Sequence, residues 1–298
     1  MSHPSTARLL FASSHPGPTV TVTVLATVIA AAVGHPLWLV VLVALAVVVG
    51  QLSIGLANDW IDADRDRAVG RTDKPAAQGR IAVGTVRRAA LVTAAAAVVL
   101  SVPLGPVAGI AHVVLVGAGW AYDAGLKRTA WSVVPFVVAF GLLPVVAVSA
   151  GGAWSAGGAG SAGGAGSWPA WWAIATGAVF GVAIHCTNVL PDLLDDAATG
   201  VRGFPHRLGL RGAGVLAFGA LVVAAALVLG GQLGGDDPAR GGAAVLAVVG
   251  TVVVVVSAVV GVRLVFAGRP TRTLFRLVIA SSLVLVVELA VAGTRLVA

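Results

Sequence analysis

The chain has 298 residues, of which 58% are hydrophobic and only 10% charged, with a mean hydropathy of +0.99. That composition excludes a soluble globular domain. The formal charge of +7 comes without any basic, aromatic-interleaved segment, which excludes nucleic acid as a partner. Continuous apolar runs, in place of short alternating segments, select helices over a membrane barrel, so the fold class is an all-α integral membrane protein.

Residues 1–17 read as a short lead-in that ends in His15-Pro16-Gly17-Pro18. Nine transmembrane helices are predicted after it, over 18–34, 37–57, 86–103, 106–122, 132–150, 169–190, 212–232, 241–266 and 273–297. The first reads as an uncleaved span, not a signal peptide, although Ala30, Ala31 and Ala32 follow its apolar stretch. The charge-free, Gly-rich segment 151–168 reads as a flexible outer loop, and 230–241, with Asp236, Asp237 and Arg240, as a solvated one. Of the 19 Lys and Arg residues, 17 lie in the N-terminus, near 58–88, 123–131 and 202–211, and around 263–276; Arg240 and Arg295 are on the other side. The positive-inside rule then places the N-terminus and these loops in the cytoplasm, and the C-terminus outside the cell (inner) membrane. The single cysteine, Cys186, leaves no intrachain disulfide and reads as a small packed residue. Glu288, the one carboxylate deep in a span, reads as a protonated or paired structural group.

Two acidic clusters end long apolar segments: Asn58, Asp59, Asp62 and Asp66, then Asn188, Asp192, Asp195 and Asp196. Asn58/Asn188, Asp62/Asp192, Asp66/Asp196, Gly70/Gly200, Pro75/Pro205, Gly79/Gly209 and Gly84/Gly214 are all 130 residues apart, so the chain contains an internal repeat. The Asn-x3-Asp-x3-Asp spacing puts three oxygen-bearing side chains on one helix face. Four spans separate the two asparagines, and an even number brings both motifs to the same membrane side. The expectation is one membrane domain over 1–298, with similar four-helix halves at about 18–122 and 132–266, a ninth helix, and one site between the motifs.

Facing carboxylates repel unless cations join them, and hard oxygen ligands select Mg²⁺, which keeps waters and bridges to substrate phosphates. Basic residues accompany both motifs: Arg65, Arg67, Arg71, Lys74 and Arg80 after the first, Arg202, His206 and Arg207 after the second. Lys127 and Arg128 lie in the next cytoplasmic loop, with Tyr122 one turn earlier. Carboxylates, Mg²⁺ and cationic side chains together imply a diphosphate held between them.

At these residues the chain resembles the UbiA-type intramembrane prenyltransferases. Asn58-Asp59-x2-Asp62-x3-Asp66 looks like the first signature of that superfamily, Asp192-x3-Asp196 like the second, and Tyr122 with Lys127 like the short motif after the fourth span. The resemblance implies that Asp59, Asp62, Asp66, Asp192 and Asp196, with Asn58, Asn188 and Asp195, hold Mg²⁺ bridging an isoprenoid diphosphate. It implies that Arg71, Lys74, Lys127 and Arg128 add positive charge, so that the allylic C–O bond ionises and the prenyl group passes to a lipophilic acceptor from the bilayer. Two departures bear on the acceptor. No Arg lies between Arg8 and Arg65, against a carboxylated aromatic acceptor, and Tyr122-Asp123 replaces the commoner Tyr-Ser pair. A UbiA-type terpene cyclase and, more remotely, a divalent-cation transporter stay open as alternatives; Trp60, Trp120 and Trp131 read as interfacial anchors.

Overall fold

The computed structural model describes residues 4–152, 167–190, 200, 202–234, 237–267 and 272–298. The second acidic motif, Asp192, Asp195 and Asp196, lies outside the described residues, as do 153–166 of the expected outer loop and Asp236.

The described residues are helical almost throughout. A short α1 (Thr6–Ser13) meets α2 (Pro16–Ala32) at a bend of 71°. Then come α3 (Leu37–Ile61), a one-turn-and-a-half α4 (Ala63–Ala68), α5 (Val83–Ser101), α6 (Pro106–Ala124) and α7 (Val134–Val148). The remainder is α8 (Trp171–Val189), α9 (Phe204–Leu233), α10 (Gly241–Phe266) and α11 (Arg272–Ala292). Proline or glycine marks many of the starts: Pro36 enters α3 in extended backbone, Gly105-Pro106 opens α6, and Pro135 and Pro205 sit in the first turns of α7 and α9.

Among the described residues, seven helices are long and apolar enough to cross a bilayer, and eight if the bent α1–α2 pair forms one broken span. The expected spans 18–34 and 132–150 are the two that fall short as single helices. At 17 and 15 residues, with a rise of about 1.5 Å per residue, neither reaches the roughly 30 Å of a hydrocarbon core. Outward-facing Val92 and Val99 on α5, and Val245, Val252 and Val256 on α10, are all more than half exposed, a surface suited to lipid and not to water.

Consecutive long helices pack on one another from α2 to α3, α3 to α5 and α6, then α6 to α7, α7 to α8, and on through α9, α10 and α11, which returns to α2. The bundle closes around a core that includes Ile29, Val43, Leu115, Leu143, Phe218 and Leu221. Close approaches use small residues. A Cβ on Gly177 or Gly181 would strike the carbonyls of Phe140 and Phe136, so this Gly-x3-Gly stripe lets α7 lie against α8. A smaller cluster of Leu9, Leu56, Ala76, Ile81 and Val86 seats α1 and the 69–82 turns on the end of α3.

Two of the glycine pairs in the 130-residue register share left-handed backbone. Gly70 and Gly200 have φ of 70° and 80°, and Gly79 and Gly209 have 69° and 66°. At Gly209 the turn interrupts α9, so the expected start of that span near 212 coincides with the second part of a kinked helix. Glycine is required there because a Cβ disfavours this conformation.

Candidate active site

The first motif is positioned by the end of α3. Asp62 N donates to Asn58 O at 3.0 Å and Asp66 N to Asp62 O at 2.8 Å, so the i→i+4 ladder runs through the α3–α4 junction. That continuity keeps Asn58, Asp62 and Asp66 on one face, where all three line a cavity of about 450 Å³. Asp59, on the flank of that face, is buried but is not part of the cavity wall.

Two lysines lock the cluster. Lys74 Nζ donates to Asn58 Oδ1 at 2.8 Å and lies 3.0 Å from Asp66 Oδ2 and 3.9 Å from Asp59 Oδ1. Lys127 Nζ lies 2.5 Å from Asp62 Oδ2 and 3.7 Å from Asp123 Oδ1. Arg65 adds contacts of 3.2 Å to Asp62 and 3.5 Å to Asp66. Asn58 Nδ2 donates to Asp123 Oδ1 at 2.7 Å and to Asp62 Oδ2 at 3.2 Å, tying α3 to α6. Four carboxylates, Asp59, Asp62, Asp66 and Asp123, thus face three cations, Lys74, Lys127 and Arg65, before the second motif is counted.

The other expected residues divide. Arg71, Tyr122 and Asn188 line the cavity. Arg71 also forks onto Asp73 with bonds of 2.8 and 2.9 Å, and this guanidinium holds the Asp73 carboxyl well below the usual carboxylate range, at about 2. Arg128 and Arg202 are exposed and outside the cavity wall. Lys127 and Arg128 are adjacent in a 3₁₀ turn, Leu126–Arg128, which sends one inward and the other to the surface.

Sequence reasoning missed several residues. Asp123 enters the cluster as the partner of Asn58 and Lys127, and its i,i+4 spacing to Lys127 was the available signal. His15, in left-handed backbone at φ 53° between α1 and α2, lines the cavity together with Gln51. Ser132 Oγ accepts from Phe204 N at 2.7 Å and shares a 2.9 Å hydrogen bond with His185 Nε2, joining the loop after α6 to α8 and the start of α9. Nothing in the sequence spacing announces that contact. The His185 ring lies tilted by 34° against Phe136 with centroids 4.6 Å apart, and Tyr122 meets Phe136 and His185 edge-on at 5.1 and 5.7 Å.

Below this polar end the walls become apolar, with Ile54, Leu115, Phe136, Phe140 and Leu143. Among the described residues no three His, Cys, Asp or Glu side chains are arranged as a metal site. The donor set nevertheless suits a hard cation: Asp62 Oδ1 and Asp123 Oδ2, both from residues of the cavity wall, are buried without hydrogen-bond partners, and oxygen-only ligands are what Mg²⁺ takes.

The profile of the UbiA prenyltransferase family matches residues 19–283. A UbiA homolog from Archaeoglobus fulgidus bound to GPP and Mg²⁺ superposes with a TM-score of 0.68 at 14% identity, covering 95% of this chain and 99% of that one. The apo structure of a UbiA homolog from Aeropyrum pernix K1 gives 0.67 at 20% identity over 91% of this chain and 96% of that one. A structure concerned with digeranylgeranylglyceryl phosphate synthase gives 0.63 at 15% identity over 97% and 98%. No curated protein matches the sequence.

Proposed function

This chain belongs to the UbiA prenyltransferase family, and from that premise we propose that it ionises an isoprenoid diphosphate with Mg²⁺ and transfers the prenyl group to a lipophilic acceptor from the bilayer. The observation that carries the reading is the junction of two environments in one cavity. Asn58, Asp62, Asp66, Lys74 and Lys127 form its polar end, and an apolar shaft continues from them. The polar end suits a diphosphate and the shaft suits its hydrocarbon chain. The bound GPP and Mg²⁺ of the Archaeoglobus homolog support the same assignment.

Asn58, Asp62 and Asp66 would hold Mg²⁺ together with Asn188 and with Asp192, Asp195 and Asp196 of the second motif, while Asp123 on the same cavity wall and Asp59 behind it would add charge. When bound, the metal supplies Lewis-acid stabilisation of the departing diphosphate. Lys74, Lys127 and Arg71 share their charge with the same oxygens, while Arg128 and Arg202, exposed, meet the diphosphate on its way in. The allylic C–O bond breaks with its electron pair going to the diphosphate. Tyr122 and Phe136 offer π-faces to the positive carbon, and the apolar walls keep water from it.

The topology that fits this chemistry has nine crossings, with α2 and α7 as its short members, in two halves related by the 130-residue register. The matched left-handed glycines, Gly70/Gly200 and Gly79/Gly209, support the two halves. The positive-inside bias supports a cytoplasmic diphosphate end.

The test is incubation of purified protein with Mg²⁺ and geranyl, farnesyl or geranylgeranyl diphosphate, with and without a lipid extract, while pyrophosphate and hydrocarbon products are measured. Pyrophosphate release that depends on the extract supports the transferase. Cyclic products without acceptor would replace it with the cyclase, and no diphosphate consumption in any condition would remove both.

A further inference from the structure

A second, small cavity of about 30 Å³ lies among α2, α7, α8 and α11, and it shares two wall residues, Phe140 and Leu143, with the large one. Three helices show that it continues the shaft in the direction away from the aspartates. On α2 the large cavity is lined by Thr19 and Val22, and the small one by Leu25 and Ile29 further along the same helix. On α7 the lining runs from Pro135 and Phe136 to Phe140 and Leu143 and then to Pro144. On α8, which runs the opposite way, Asn188, His185 and Ile184 line the large cavity, and Phe180, Gly177 and Ala173 the small one.

We propose that Phe140 and Leu143 are the end stop of the isoprenoid shaft and set the longest chain that this protein accepts within the bundle. The inference rests on the proposed isoprenoid-diphosphate site. Phe140 is braced for such a role. Its ring meets Phe180 edge-on at 5.5 Å, and its carbonyl lies against Gly177, so the ring cannot follow a longer chain without moving α8. Leu143 is buried beside it. From Pro135 to Phe140 and Leu143 the helix advances about 8 to 12 Å, which is the depth of shaft that α7 offers between the polar end and the stop. Truncating either side chain joins the two cavities and lengthens the shaft toward Leu285 and Leu289.

The experiment measures binding of non-ionising thiolodiphosphate analogues of geranyl, farnesyl, geranylgeranyl and longer chains to purified protein with Mg²⁺, by protection from thermal unfolding. For the wild type, affinity rises with chain length to a limit and then stops rising. Phe140→Ala, Leu143→Ala and the milder Phe140→Leu move that limit upward, changing the ratio of longer to shorter analogue by about tenfold or more, the scale on which a pocket discriminates a methylene. Leu285→Ala enlarges only the outer cavity and leaves the limit where it is. If folded variants at Phe140 and Leu143 keep the wild-type limit, or Leu285→Ala moves it equally, the stop is elsewhere and the chain leaves sideways to the bilayer. If no analogue protects even the wild type, the isoprenoid-diphosphate reading itself falls.

Discussion

Lys127 reaches across 65 positions of sequence to place its ammonium 2.5 Å from Asp62 Oδ2, and both residues are almost wholly buried, at 5% and 1% exposure. This ion pair joins the 3₁₀ turn after α6 to the end of α3. It also holds a cation at the polar end of the cavity, where the proposed function puts metal and diphosphate, so its loss has two consequences that can be separated.

Replacing Lys127 by Met leaves Asp62 and Asp123 buried with less compensation. Removing one partner of a buried pair costs about 3–5 kcal/mol. Thermal unfolding in detergent should therefore show a lower midpoint for Lys127→Met in EDTA, with Mg²⁺ restoring more of it than in the wild type, because bound metal stabilises the folded state by mass action. Equal midpoints in EDTA would show that the pair is structurally neutral.

Asp62→Asn and Asp192→Asn should each slow pyrophosphate release by about a hundred- to a thousandfold, the effect of removing one group that stabilises charge in a transition state. The 130-residue register gives the two aspartates matching positions in sequence, so the proposed site treats the two substitutions alike. Steady-state rates with saturating diphosphate check this, and a wild-type rate for either variant contradicts a site shared between the motifs.

Much of this cluster was legible in the chain because an α-helix imposes its own period. Asn58, Asp62 and Asp66 fall on one face by counting, and the ladder through Asp62 preserves that face across the helix junction. Lys74 and Lys127 were legible as cations near the motif. Their pairing with Asp66 and Asp62, however, depends on turns whose direction no periodicity sets, and Arg128 points away for the same reason. Asp59 belongs to the motif by spacing but sits behind the cavity wall. Ser132, His185 and the Phe204 amide meet over 53 and 72 residues of sequence, through contacts between three elements that carry no local signal. Helix α7 is shorter than its expected span by two residues at each end, Ser132 and Val133 before it and Ser149 and Ala150 after it, whereas α2 has the same 17 residues as its expected span, shifted by two toward the N-terminus.

Gly55→Ala should destabilise by about 1–3 kcal/mol, the cost of overpacking a well-packed site. A Cβ there would strike the Ser14 carbonyl, where the α1–α2 bend closes on α3 beside His15 and the cavity. Gly84→Ala is the contrasting case. Nothing lies within 4 Å of its Cβ position, and it sits inside α5. The same change there should be stabilising by about 0.4–1 kcal/mol, through a less flexible unfolded chain. Opposite shifts in the unfolding midpoint are the expected result, and an unlowered midpoint for Gly55→Ala would mean that α1 and α2 yield without cost.

Ser132→Ala tests whether the polar brace around His185 is needed to hold the site together. The hydroxyl accepts from the Phe204 amide and shares a hydrogen bond with His185 Nε2, so its removal leaves two groups without their partner. Leaving buried polar groups unsatisfied costs about 1–3 kcal/mol each. Because Phe204 opens the helix that follows the second motif, and Lys127 lies five residues before Ser132, the loss also loosens the two sides of the cavity from one another. Ser132→Thr keeps the hydroxyl. The expected outcome is a lowered unfolding midpoint and weaker diphosphate binding for Ser132→Ala, with both largely restored by Ser132→Thr. Equal behaviour of the two variants would show that packing, and not the hydroxyl, joins the loop to α8 and α9.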